Sequence, residues 1–284
     1  MLGLEHQQYK LEWQNRSVKT GVFPISIDFN KFNDAFDDEV VKNQRSLMRK
    51  QFTEQKIIFS ADRLDYTKGV TNRLRAYSEF LNRYPEYHEK VVFVMVIVPS
   101  RDAISKYAER KKMIDEYIGS LNSRVGNVRW QPVIYQYNSL SFQELVAMYT
   151  TCDLALITPM RDGMNLVAKE FIASRKDLRG TLILSEMTGA AEELTEALMI
   201  NPTDIDEIAG QIKVALEMDD EEQEKRIASM QQKIRKYDVT DWAADFFYQL
   251  LKINHDGNIY KCRTQSGTKE AVPAIREALD PAGL

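Results

Sequence analysis

Short, almost uninterrupted apolar runs recur along the chain, separated by helical patterns, and this alternation limits the fold more than any other feature. The runs FPISI (23–27), KIIFSA (56–61), VVFVMVIV (91–98), VRWQPVIY (128–135), LALIT (154–158), TLILSE (181–186) and ALMIN (197–201) read as strands. Several lack polar alternate positions, as expected where both faces of a parallel sheet are covered. Between them, Leu74, Tyr77, Ser78 and Leu81 share one helical stripe, with Arg73, Arg75 and Arg83 elsewhere around the same helix. Ile114, Tyr117, Ile118 and Leu121 mark a second stripe within 104–121. The alternation predicts an α/β fold built on a doubly wound, Rossmann-like parallel sheet.

The ends of the chain differ. Residues 1–20 are polar and weakly patterned and read as an extension or inter-domain linker. Segment 220–236 reads as a charged surface helix and 241–253 as an amphipathic one. Residues 254–284 are rich in charged and small residues and read as a polar tail or linker, which leaves 21–253 as the folded domain.

Composition removes several function classes. A net charge of −4 offers no basic excess for a general nucleic-acid binder, so any phosphate site must be a local cluster. Cys152 and Cys262 lie far apart, and His6, His88 and His255 are scattered; neither a zinc site nor a disulfide framework is expected. The longest apolar run, 91–98, is too short to cross a bilayer, and MLGLEHQQYK is too polar for a signal peptide. A soluble, cytoplasmic protein with no membrane partner is the expectation. GxGxxG, GxxxxGK[ST] and a nucleophile elbow are all missing from the sequence.

Ligands of open parallel sheets sit beyond the carboxyl ends of the strands. The segments there are DRLDYTKG (62–69), PSRDAISKY (99–107), QYNSLSFQEL (136–145), PMRDGMNLVAKE (159–170) and MTGAAEEL (187–194). In the first, Arg63 and Lys68 flank a turn that closes at Gly69. A guanidinium fork and an ammonium point charge suit a diphosphate. The alternative is two solvated cations paired with Asp62 and Asp65. In the fourth, Pro159 ends the strand, Gly163 permits a tight turn, and a helix starts near Asn165 with unsatisfied N–H groups that suit a phosphate. Asp162 would accept bonds from sugar hydroxyls, and Glu170, about 7–8 Å up the helix axis, is within reach of a ribose. The alternative there is an N-cap aspartate and a surface glutamate. MTGAAEEL offers another helix start with small residues, in which Glu192 and Glu193 read as surface charges. Asp204 and Asp206 form a DxD, but they lead into an amphipathic helix and read as a capped, acid-rich first turn, with no metal site.

In order and spacing, DRLDYTKG, PSRDAISKY, LSFQELVAMY, ITPMRDGMNLVAKEF, SEMTGAAEEL and INPTD resemble the trehalose-6-phosphate synthases of glycosyltransferase family 20, over about 21–253. The resemblance implies the C-terminal, donor-binding half of a two-domain GT-B glycosyltransferase. It implies retaining transfer of glucose from UDP-glucose to glucose 6-phosphate, giving α,α-trehalose 6-phosphate and UDP without a cofactor or metal. Arg63 and Lys68 would grip the diphosphate and, with Asp162 on the transferred sugar, form the catalytic set. Backbone amides of Gly163, Met164, Asn165 and Leu166 would serve the sugar and distal phosphate, and Glu170 the ribose. Val96 and Leu145 would hold uracil through backbone groups, and Arg101 would reach the acceptor's phosphate. The family's N-terminal domain is expected to be missing, so the chain alone would bind nucleotide and turn over poorly. Two alternatives stay open: a non-catalytic nucleotide-sugar or sugar-phosphate sensor, and a sister transferase with another acceptor such as glycerol 3-phosphate.

Overall fold

The computed structural model describes residues 5–7, 10–13, 16–99 and 105–256. The chain divides into two compact units, Ser26–Asp238 and a second drawn from Met1–Ile25 and Val239–Leu284.

In the second unit β1 (Glu5–Gln7), β2 (Lys10–Trp13) and β3 (Arg16–Lys19) form an antiparallel meander, with Leu11 opposite Val18 in register. The weak polar pattern of residues 1–20 predicts only an extension or linker there. Strands of three or four residues are too short for a period-two apolar pattern to stand out from the surrounding polar sequence. The same unit holds the long helix over 239–256, described below as α9, whose Trp242 Nε1 donates to the Phe23 carbonyl at 3.1 Å. Phe246 meets the edge of Phe23 with ring centroids 5.2 Å apart.

The larger unit carries α1 (Phe29–Asp34), α2 (Glu39–Gln51), β4 (Lys56–Arg63), α3 (Val70–Arg83), β5 (Val91–Val98), α4 (Ser105–Val125), β6 (Val133–Gln136), α5 (Phe142–Thr151), β7 (Leu154–Ile157), α6 (Leu166–Ser174), β8 (Thr181–Ser185), β9 (Leu198–Ile200), α7 (Ile205–Glu217) and α8 (Asp220–Lys236); α9 (Val239–Asp256) closes the described chain. Its six strands pair in the order β6-β5-β4-β7-β8-β9, all parallel. The expected doubly wound sheet is therefore present, with the strand order of the dinucleotide-binding folds. Alternate residues of the central strands feed two cores. Ile57, Phe59, Val92, Val94 and Val96 face one, closed by α1, α2, α5, α6 and α8; Ile58, Phe93, Met95 and Ile97 face the other, closed by α3, α4 and α7. Double coverage is why the strands read as unbroken apolar runs. Each fully buried side chain of this size contributes about 1.5–3 kcal/mol.

Two expected strands need correction. FPISI forms none: Pro24 removes a ladder donor, and Ile27 and Phe29 serve as plugs in the core instead. VRWQPVIY starts pairing continuously only at Val133. Asn127 Oδ1 accepts from the amides of Arg129 and Trp130 at 2.8 and 3.0 Å in a tight turn, and Pro132 has no N–H to offer. The charged helix over 220–236 forms as expected, and Asp204 caps α7 by accepting from Glu207 N at 2.9 Å. Among the described residues no helix is long and apolar enough to cross a membrane.

Candidate functional site

Strand order reverses between β4 and β7, so the connections leaving their carboxyl ends part to opposite sides and open a crevice. β4 ends at Arg63 and β7 at Ile157, so DRLDYTKG and PMRDGMNLVAKE both leave from this point.

The first loop is shaped by its own side chains. Asp65 accepts from the Thr67 amide at 2.9 Å, and Gly69 turns the chain at φ 66°. A Cβ on Gly69 would sit 2.5 Å from the Thr158 carbonyl, so only glycine fits. Thr67 O in turn accepts from Met160 N at 2.7 Å, tying the two loops together. Beneath them lies Arg73, fully buried. Its Nη1 donates to Asp62 at 2.5 Å, Nε to Thr158 Oγ1 at 3.0 Å, and Nη2 to the Lys68 carbonyl at 3.1 Å. One guanidinium thus braces the end of β4, the end of β7 and the lysine loop. Burial raises the pKa of the Asp62 carboxyl, with Arg73 pulling the other way.

Lys68 Nζ lies 2.6 Å from Asp162 Oδ2, with the side chains 14 % and 19 % exposed. The same oxygen accepts from Asn165 Nδ2 at 3.2 Å, while Asn165 Oδ1 accepts from Ala168 N at 3.0 Å and caps α6. Asn165 does so at φ 113°, a strained backbone for a residue with a side chain. The alternative pairings are corrected here: Lys68 bonds Asp162, Asp62 bonds Arg73, and the cap of α6 is Asn165. The Asp162 backbone is held as well. Its N–H donates to Met187 O at 3.0 Å and its carbonyl accepts from Gly189 N at 3.1 Å, a parallel bridge with Thr188 that extends the sheet past β7. A Cβ on Gly189 would meet Gly163 O at 2.2 Å.

Arg63 is exposed and lines a cleft of about 190 Å³ with Val96, Val98, Leu145, Tyr149 and Val167. Val167 belongs to the first turn of α6, so the Arg63 side chain and the amino end of that helix border one cleft. Val96 and Leu145, the two positions expected beside the base, border it too. Glu170 accepts from the Tyr149 hydroxyl at 2.8 Å, and burial raises its carboxyl's pKa despite that bond and the nearby Lys31 charge. Gly163 is exposed and Met164 and Leu166 are half-buried at the start of the same turn. Arg101 lies outside the described residues.

Three contributors escaped the sequence reading. Arg73 falls off the apolar stripe in the helical pattern, yet it is buried beside Leu74; adjacency to that stripe is its one signal. Tyr149 reads as core, and only the fold brings its hydroxyl to Glu170. Glu193 was read as a surface charge. Instead Lys169, with a fully buried side chain, reaches it at 2.8 Å, and burial lowers the pKa of that ammonium. Lys68, Asp162 and the Asn165 cap of α6 meet at the switch point, and Arg63 lines a cleft that the first turn of α6 also borders; cations and helix-start amides of this kind are groups that suit a phosphate.

Comparison with known proteins gives concordant results. The sequence model described as Glycosyltransferase family 20 matches residues 1–252. A bifunctional trehalose-6-phosphate synthase/phosphatase of Thermoproteus tenax is 46 % identical over 250 residues, which are 88 % of this chain and 34 % of that protein. A solved UDP-forming α,α-trehalose-phosphate synthase of Burkholderia xenovorans, in complex with glucose-6-phosphate, superposes with a TM-score of 0.82 at 30 % identity; the match covers 85 % of this chain and 54 % of the other. An E. coli structure with bound UDP-2-fluoro glucose gives a TM-score of 0.82 at 31 % identity, over 87 % and 55 % of the two chains. The chain therefore spans about a third to a half of the length of these relatives.

Proposed function

The chain belongs to glycosyltransferase family 20, and from that premise we propose that it is the donor-binding half of a retaining transferase. The reaction is transfer of glucose from UDP-glucose to glucose 6-phosphate, forming α,α-trehalose 6-phosphate and UDP in a cytoplasmic setting. The relatives named above support the substrates, through bound glucose-6-phosphate in one and a UDP-sugar analogue in another. The domain that carries it is 21–253, completed by a segment corresponding to the rest of the relatives' length.

The observation that carries the reading is the meeting of Lys68, Asp162 and the Asn165 cap of α6 at the switch point, beside the Arg63 cleft. Arg63 and Lys68 would compensate the charge that grows on the diphosphate as the sugar's C1–O bond breaks. Amides of Gly163, Met164, Asn165 and Leu166 would take the distal phosphate and sugar, Asp162 the sugar hydroxyls, and Glu170 the ribose. Val96 and Leu145 would flank the uracil, and Arg101 would meet the acceptor phosphate. No carboxylate is assigned as a covalent nucleophile under the sugar, in contrast to a retaining hydrolase. The acceptor oxygen would instead bond C1 on the face the diphosphate leaves, and its proton would pass to the departing phosphate oxygen. Positioning and charge stabilisation then supply the catalysis.

Calorimetric titration of the purified chain with UDP, UDP-glucose and GDP-glucose tests the donor site. Heat with the uridine nucleotides is expected, and no heat with any nucleotide rejects the reading. Adding the complementary half and assaying transfer to glucose 6-phosphate tests the reaction. Nucleotide binding without any transfer in that assay favours the sensor alternative, and transfer only to another phosphorylated acceptor favours the sister enzyme.

A further inference from the structure

The Lys68–Asp162 ion pair sets two proposed duties against each other. Lys68 is to neutralise a diphosphate, yet its ammonium is 2.6 Å from a carboxylate oxygen, with both side chains largely shielded from solvent. An ammonium has three donors but a single charge. It can touch two anions, but each one reduces what it offers the other. Asp162 is in the mirror-image position. Its Oδ2 takes bonds from both Lys68 and Asn165 Nδ2, so the lone pairs aimed at a sugar are partly spent on the protein.

We propose that Asp162 is a specificity-determining switch that restrains Lys68 until a diphosphate draws the ammonium away, whereupon the released carboxylate oxygen takes the sugar. Phosphate recognition and sugar recognition are thereby coupled, and a nucleotide carrying a sugar gains more than one without. The inference rests on the donor-site reading above. The surroundings suit an exchange of this kind. The lysine's own carbonyl is pinned by Arg73 Nη2 and the aspartate's backbone by Met187 and Gly189, so only side-chain tips need move. Asn165 remains as a donor to the aspartate and keeps it from swinging out of the crevice when Lys68 leaves.

The sign of one substitution separates this idea from simple contact loss. Asp162→Asn keeps the shape and the partner Asn165 but removes the charge that competes for Lys68. UDP affinity should rise by roughly three- to tenfold, a modest share of what close, partly buried charges exchange. The advantage of UDP-glucose over UDP should shrink toward none. Removing a negative charge would also relieve plain repulsion of the diphosphate, so the same substitution is repeated in a Lys68→Gln background. There the gain should vanish. Calorimetry on the purified 284-residue chain and these three variants, with thermal unfolding confirming folded protein, reads all of this. Wild-type chain that binds no UDP overturns the donor-site reading and this inference together. Wild-type binding with unchanged or weaker UDP affinity in Asp162→Asn overturns the inference alone. So does an equal gain in the Lys68→Gln background.

Discussion

At the scale of single residues, the candidate site is governed by which charges are buried with which partners. Arg63 is exposed at the strand end, so its removal should leave the fold intact. Arg63→Ala is expected to weaken UDP binding by about 1.5–3 kcal/mol, the usual size for a hydrogen bond between charged groups; unchanged affinity in calorimetry rejects the clamp. Arg73 behaves in the opposite way. Arg73→Met strands the buried Asp62 and should cost about 3–5 kcal/mol of stability, seen as a large fall in melting temperature. Glu170 makes a pH prediction. Burial raises its pKa, and the ionised carboxylate is the stronger acceptor for ribose hydroxyls. Affinity for UDP-glucose should be complete at neutral pH and decline on acidification at a higher pH than an ordinary glutamate, near 4.3 (about), would give. UDP-glucose is the right probe, because both of its phosphates are esterified. Glu170→Gln should flatten that decline, and a profile identical to wild type would remove Glu170 from the site.

At the scale of elements, what could be read in advance was whatever both layers of the fold demand at once. Runs such as VVFVMVIV carry the sheet unambiguously, because each alternate side chain is needed by a different core. The loops after β4 and β7 were legible because their residue types suit a phosphate and both leave the point where strand order reverses. The partners inside the site were not. Lys68 lies ninety-four positions from Asp162 in sequence, and no spacing rule connects them. Nor does pattern show that Asn165, three residues on from Asp162, takes the capping role through a backbone at positive φ. Glycines at loop contacts give the test at this scale. Gly69→Ala and Gly189→Ala place a methyl against backbone carbonyls of the neighbouring loop. Each should cost about 1–3 kcal/mol and lower UDP affinity, since the collision pushes the β4 and β7 loops or the β7 and β8 loops apart. Alanine variants with wild-type melting and binding would show that the loops have slack enough to absorb a methyl group.

At the scale of the molecule, every described candidate residue belongs to the unit Ser26–Asp238 and sits at one end of its sheet. A ligand there should stabilise by mass action, about 2.7 kcal/mol at a hundred times its dissociation constant. Hydrogen exchange should slow on UDP binding in 62–69, 159–168 and 187–192, and stay unchanged at the opposite strand ends around Lys56 and Thr181. Protection spread evenly over the sheet, or centred on those opposite ends, would place the nucleotide elsewhere. The Asp162–Thr188 bridge adds a kinetic corollary. A recognition loop stitched to its neighbour like an extra rung meets its visitor already shaped, and little searching or rearrangement precedes capture. Related nucleotides should then arrive at similar speeds, and their ranking should be written in their dwell times.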